Sequence, residues 1–161
     1  MNQKRFDQLL NESGLDGIIV NSLENVSYLA GTRMVTQKML PERLAFVLWP
    51  SGGDPTIVVC KGEDVACKDD CTIEDMRTYK EFVSSPVDTL VDVILEKGLA
   101  EARIGIERRV LAADFMDKLK ARLPTLQLID CGKLMDETRM IKTSDEIDRL
   151  AAAGQATEQS I

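Results

Sequence analysis

A three-layer α/β domain built on a mixed sheet is the fold class this sequence predicts. Two observations carry the prediction. In the second half of the chain, short apolar runs alternate with amphipathic helical patterns, and in the first half two such runs flank a turn-rich segment that reads as a hairpin. A third observation sets the scale. The 161 residues, 44% hydrophobic and 29% charged, suit one folded domain, and an aromatic share of 4% leaves the interior to aliphatic side chains.

The elements follow in order. Phe6, Leu9 and Leu10 recur at helical spacing before Gly14, so residues 3–13 predict an opening amphipathic helix. Residues 16–20, Asp-Gly-Ile-Ile-Val, read as a buried strand. Residues 23–30 predict a short helix with Ser22 as N-cap, Gly31 as stop, and Val26, Tyr28 and Leu29 inward. The segment 32–43 lacks a clean period and is expected to be a loop, with a basic character from Arg33, Lys38 and Arg43. Residues 44–49 and 56–60 form the two strands of an antiparallel hairpin around Pro50-Ser-Gly-Gly-Asp-Pro55. A short helix over 62–68 and a more polar edge strand over 72–79 come next. Residues 87–97 predict a helix with Leu90, Val91, Ile94 and Leu95 inward, closed by Gly98. A strand over 103–107, a helix over 112–122 with Phe115, Met116 and Leu119 inward, a strand over 126–130 and a helical region from Lys133 complete the pattern.

The final stretch reads as a helix opening that has no ending. Thr143 and Glu146 make a capping box, and Asp145, Glu146 and Asp148 place negative charge at the positive end of the helix dipole. Ile147, Leu150 and Ala151 share one face, and Gly154 is the single candidate stop before Ile161. The expectation is a fragment whose boundary lies near residues 138–144. If the chain were complete and acted alone, this apolar face would lack a partner.

Composition narrows the chemistry. The chain contains no histidine, which removes Ser-His-Asp and Cys-His catalysis and the commonest imidazole metal ligand. Paired carboxylates such as Asp69-Asp70, Glu74-Asp75 and Asp145-Glu146 lie in polar stretches and read as solvated faces. Neither Gly14-x-x-Gly17 nor Ser51-Gly52-Gly53 makes a phosphate loop. With a formal net charge of -7 and no basic stripe, nucleic acid is not an expected partner. No signal-peptide core and no apolar stretch approaching the ~20 residues of a membrane span is present, so a cytoplasmic location is expected and a membrane is not. The four cysteines, Cys60, Cys67, Cys71 and Cys131, show no paired zinc-knuckle spacing and read as reduced thiols packed as small apolar groups. Zinc held by three or four of them is the alternative, which metal analysis decides.

Four elements, taken in order, resemble a known family. They are the opening helix followed by Gly14-Leu-Asp-Gly-Ile-Ile-Val20; Asn25-Val-Ser-Tyr-Leu-Ala-Gly31, similar to an N-x-x-Y-L-x-G element; Arg103-Ile-Gly-Ile-Glu107; and Arg139-Met-Ile-Lys-Thr-Ser-Asp-Glu-Ile147, similar to an R-x-x-K-x-x-x-E-I linker. Over essentially all of its length the chain resembles the N-terminal domain of creatinase, prolidase and Xaa-Pro aminopeptidases. The resemblance implies a ribonuclease H-like α/β/α domain over 1–138, with 139–161 as the linker and first helix leading into a pita-bread catalytic domain that these residues do not contain. It implies a metal-dependent Xaa-Pro dipeptidase or aminopeptidase as parent, with two divalent metal ions such as Mn, Co or Zn in the catalytic domain. The present residues would then carry no catalytic and no metal-binding residue, and would serve homodimerisation and peptide-substrate access.

The resemblance also points to individual residues. Tyr28 and Leu29 match the family element and read as core residues, and Gly31 as a backbone requirement. The loop that follows can reach toward a partner subunit's active site in related enzymes, which makes Arg33, Lys38 and Arg43 candidates for gripping a substrate carboxylate. Thr32-Arg33-Met34 departs from the family, where an aromatic residue often follows the glycine. A creatinase-type small-molecule hydrolase and a non-enzymatic module of the histone-chaperone type share the architecture and stand as alternatives.

Overall fold

The computed structural model describes residues 1–40 and 43–159; Pro41 and Glu42 of the 32–43 segment, and Ser160 and Ile161, lie outside them. Six strands form one sheet in the order β4-β3-β2-β1-β5-β6, with β1 Gly17–Val20, β2 Phe46–Pro50, β3 Thr56–Cys60, β4 Asp75–Tyr79, β5 Arg103–Ile106 and β6 Gln127–Asp130. Only β2 runs against the others. It pairs antiparallel with β1, Ile18 opposite Trp49, and with β3, Val47 opposite Ile57, while β1/β5, β5/β6 and β3/β4 pair parallel. The predicted hairpin and polar edge strand are therefore present.

Helices cover both faces, and the strand side chains alternate between them. On one face α1 (Gln3–Ser13), α2 (Leu23–Ala30), α4 (Asp64–Asp70) and α7 (Gly132–Met140) bring Phe6, Leu10, Val26, Leu29, Cys67 and Met135 onto Ile18, Val20, Val47, Ile57 and Val59. On the other, α5 (Pro86–Glu96) and α6 (Ala113–Arg122) bring Val87, Leu90, Val91, Ile94 and Leu119 onto Ile19, Phe46, Leu48, Val58, Ile104 and Ile106. Burying one such side chain fully stabilises the fold by roughly 1.5–3 kcal/mol. Gly105 sits where the first layer comes closest: an added Cβ would lie 2.7 Å from Cys131 Cβ and 2.9 Å from Ile18 Cγ2.

Three local expectations are corrected. Part of the segment expected to be a loop forms a short helix, α3 (Val35–Met39). Its inward face carries buried Met34 and Gln37, and a polar residue on that face hides the period. In α5, Leu95 is 51% exposed and Val93 is buried instead, because the two flank the Val87–Leu90–Val91–Ile94 stripe on opposite sides and the helix turns the Val93 side to the core. Tyr28 is half-buried rather than core, while Leu29 is fully buried as expected. As expected, Gly154 does not stop the last helix, α8, which runs from Ser144 to Glu158. The start of α8 is as predicted, with both halves of the Thr143–Glu146 capping box formed. No residue of α8 is buried, and Ile147 and Leu150 are more than half exposed. Arg139 and Met140 form the last turn of α7.

Candidate functional site

The C-terminal ends of β1 and β5 lie side by side, and the chain leaves them toward opposite faces, β1 into α2 and β5 on to α6. This divergence opens a crevice at the position where α/β sheets place their ligand sites. Glu107, one residue past β5, reaches across it. Its carboxylate accepts the Asn21 N–H at 2.6 Å, the Ser22 N–H at 2.8 Å, the Ser22 hydroxyl at 2.6 Å and the Asn25 side-chain amide at 2.6 Å. Ser22 in turn caps α2 by accepting the Asn25 N–H. Four donors saturate the carboxylate, so its role is to hold β1, β5 and α2 together; it has no lone pair left for a substrate proton. Sequence reading quotes Asn25 and Glu107 in separate motifs and misses their union. The available signal is a carboxylate at the end of an apolar strand, which needs donors once buried.

Beside Glu107 lies a cleft of about 180 Å³ whose rim includes Arg108, Arg109, Asp130, Asp136 and Arg139. It adjoins a larger groove of about 590 Å³ lined by Tyr28, Arg139, Met140, Lys142, Glu146 and Leu150. The groove floor is braced by the first residues of the chain. The Asn2 N–H donates to the Tyr28 hydroxyl at 2.9 Å, its side-chain amide to the Ile141 carbonyl at 3.2 Å, and Arg5 Nε to the Glu137 carbonyl at 2.7 Å. Burial, joined by the nearby Glu146 carboxylate, pushes the Tyr28 phenol above its ordinary range against the opposing Asn2 bond and Arg139 charge.

The three predicted site cations lie apart from this groove, along the segment around α3. Gln37 pins α3 to the end of β1 by donating to the Asn21 carbonyl at 2.8 Å, and the Thr36 N–H and hydroxyl both donate to Glu63. Arg33 and Lys38 are exposed and, among the described residues, make no ion pair. Arg43 is engaged: its guanidinium meets both Glu81 oxygens, Nη2 at 2.6 Å and Nε at 2.8 Å. That pair ties the segment to the turn after β4, where Phe82 adopts φ 62° and is 98% exposed beside exposed Val83. Among the described residues no group of three or more His, Cys, Asp or Glu side chains could hold a metal ion, and no helix is long and apolar enough to cross a membrane.

The sequence model of the family described as the creatinase/prolidase N-terminal domain matches residues 3–141. The chain belongs to this family. Among relatives of the creatinase/prolidase N-terminal domain, it is 25% identical over 155 residues to an uncharacterized hydrolase/peptidase, y4tL, of Sinorhizobium fredii, covering 91% of this chain and 39% of that protein. The crystal structure of a dipeptidase from Pyrococcus horikoshii superposes with a TM-score of 0.75 at 24% identity, covering 92% of this chain and 39% of the other. A domain of a dipeptidase from Streptococcus thermophilus, 16% identical, superposes with a TM-score of 0.70 and is covered over 98% of its own length, with 86% of this chain. The creatinase/prolidase N-terminal domain thus has the predicted α/β/α fold, and the chain spans about two fifths of the length of its longer relatives.

Proposed function

We propose that this domain is the non-catalytic N-terminal part of a metal-dependent hydrolase acting on Xaa-Pro peptides, and that it contributes to dimerisation and to the substrate entrance. The observation that carries this reading is the family match over residues 3–141. The metal ions, two divalent ions such as Mn, Co or Zn, belong to the downstream catalytic domain. The groove along Tyr28, Arg139, Met140 and Leu150, together with the exposed face of α8, supports a seat for that domain. The exposed Val35, Met39 and Leu40 near α3 and Phe82 and Val83 across the Arg43–Glu81 pair supply an apolar surface for a second copy. Arg33 and Lys38 then stand ready to meet a peptide carboxylate, and Arg43 holds the segment that presents them.

The test uses a longer protein that carries residues 1–161 at its N-terminus. Assays against Xaa-Pro dipeptides, longer Xaa-Pro peptides and creatine, before and after chelation of divalent metal, are expected to give chelator-sensitive cleavage of an Xaa-Pro bond. Activity on creatine alone would sink the peptidase reading in favour of the small-molecule alternative. Arg33→Ala and Lys38→Ala are expected to raise KM several-fold with little change in kcat, since a grip on the substrate made equally in ground and transition states changes binding alone. Sedimentation of the longer protein should show a dimer weakened by Phe82→Asp.

A further inference from the structure

We propose that the cleft beside Glu107 binds a small zwitterionic amino acid, its ammonium group on Asn25 and its carboxylate on Arg139 and Arg109. The three residues come from separate elements. Asn25 belongs to α2, Arg109 to the turn after β5 and Arg139 to the last turn of α7, and all line one space of about 180 Å³.

Two polar atoms of this wall lack a partner among the described residues. Asn25 is 5% exposed, and its Nδ2 donates to Glu107 Oε1 at 2.6 Å. An ionised carboxylate only accepts, so this bond fixes the orientation of the amide and leaves the buried Oδ1 as an acceptor without a donor. In Arg139 the buried Nε is a donor without an acceptor, while Nη2 reaches Asp136 Oδ1 only at 3.5 Å. Buried polar atoms left unpaired are costly, and a ligand that pairs them removes that cost. One atom needs a donor and the other an acceptor, so the ligand carries both. Because both atoms are closed to bulk solvent, entry turns the Arg139 side chain, which is 35% exposed.

The charges around the cleft select a dipolar ligand over a simple ion. Three arginines share the wall with four carboxylates, one of them the saturated Glu107. A phosphate would meet the carboxylates and a plain cation the arginines, so each is opposed by part of the wall. Arg109 and Glu24 are exposed and, among the described residues, make no ion pair; they supply the free charge for the two ends. Arg108 is held in part, its Nη2 donating to the Leu128 carbonyl at 3.3 Å. Nor does the helix end carry the anion, since the Gly132 N–H that opens α7 donates to Asp130 Oδ1 at 3.3 Å. The guanidinium of Arg109 grips the ligand carboxylate beside Arg139 Nε, and the ammonium N–H groups serve Asn25 Oδ1 and Glu24. Arg139 also lines the groove beside Tyr28, so an occupied cleft sets the side chain on which that groove ends. The site requires neither the proposed peptidase activity nor the catalytic domain.

The experiment is an amide-shift titration of the 161-residue chain with glycine in phosphate-free buffer, repeated with acetate, methylammonium and inorganic phosphate. Glycine, a ligand of few atoms, is expected to saturate one site with a Kd on the order of 1 mM, with the largest shifts within 21–25, 107–110 and 130–139. Acetate, methylammonium and phosphate should each bind at least about tenfold more weakly, since each lacks one end of the dipole. Arg109→Ala alters only an exposed side chain, so the fold is retained, and glycine should bind about tenfold more weakly to it. No saturation by glycine at about 50 mM, phosphate, acetate or methylammonium binding as tightly as glycine, shifts centred elsewhere, or unchanged glycine affinity in Arg109→Ala would overturn the proposal.

Discussion

At the residue scale, Glu107 shows how one side chain can organise a sheet edge. Its carboxylate is 5% exposed and is satisfied by three residues from the β1–α2 junction. Glu107→Ala leaves two backbone N–H groups, a hydroxyl and an amide without their acceptor in a buried place. A loss of about 3 kcal/mol in urea unfolding is expected, less than the sum of the separate bonds because the adjacent cleft admits water. A loss below about 1 kcal/mol would mean the four bonds are replaceable. Asp75 makes the corresponding pH prediction at the opposite edge. Burial alone would raise its carboxyl, but bonds from Arg77 and Thr56 and the charges of Arg77 and Lys97 prevail and hold it below the ordinary range. The native state then binds fewer protons than the unfolded one, so the contribution is present above the unfolded value near ~4 and is lost as pH falls through the lower folded value. Asp75→Asn should narrow the stability difference between pH 6 and pH 3; urea midpoints at both pH values check this, and an unchanged difference refutes it.

At the element scale, α3 and α8 are opposite cases. The sequence of α3 shows no helical period, because a five-residue helix held by Gln37 and Glu63 needs no apolar stripe. Its nucleation cost is offset by side-chain bonds from distant parts of the chain, which no local pattern reveals. For α8, the local signals are strong and the structure keeps them, yet the helix buries nothing within these residues. Its stability is therefore largely local, its first turn alone reaching the rest of the domain through Glu146, 3.8 Å from the Met1 amino group and beside Tyr28. Thr143→Ala is expected to cost about 1 kcal/mol in α8, seen as faster amide exchange at Asp145–Ile147, with the global urea midpoint unchanged. A shift of the global midpoint would show that α8 is coupled to the core. Gly105→Ala tests the packed case: a methyl forced against Cys131, Ile18 and Leu15 should cost about 1–3 kcal/mol, and a neutral result would mean the first layer yields readily.

At the scale of the whole molecule, both sheet faces are covered while the α8 face and the groove beside Tyr28 remain open. The double substitution Ile147→Lys, Leu150→Lys changes only exposed positions. In the 161-residue chain it is expected to leave stability within about 0.5 kcal/mol, whereas in a longer protein that seats its catalytic domain on this face it should lower the melting temperature. Thermal scans of both lengths decide, and equal effects in the two would remove α8 from the proposed contact.

The sequence alone determined the three-layer class, the hairpin, the polar edge strand and the starts of the helices other than α3, because periodicity, turn chemistry and caps act between residues close along the chain. It also carried the family, through motifs whose residues it names in order. Only the tertiary structure decided that Asn25 and Glu107 are one unit, that Arg43 is taken by Glu81, and that Tyr28 lines a groove. Each of these depends on which donors and acceptors remain once the sheet has closed. Burial and hydrogen-bond satisfaction are properties of the whole packed chain, so they become definite only when residues far apart in sequence arrive side by side.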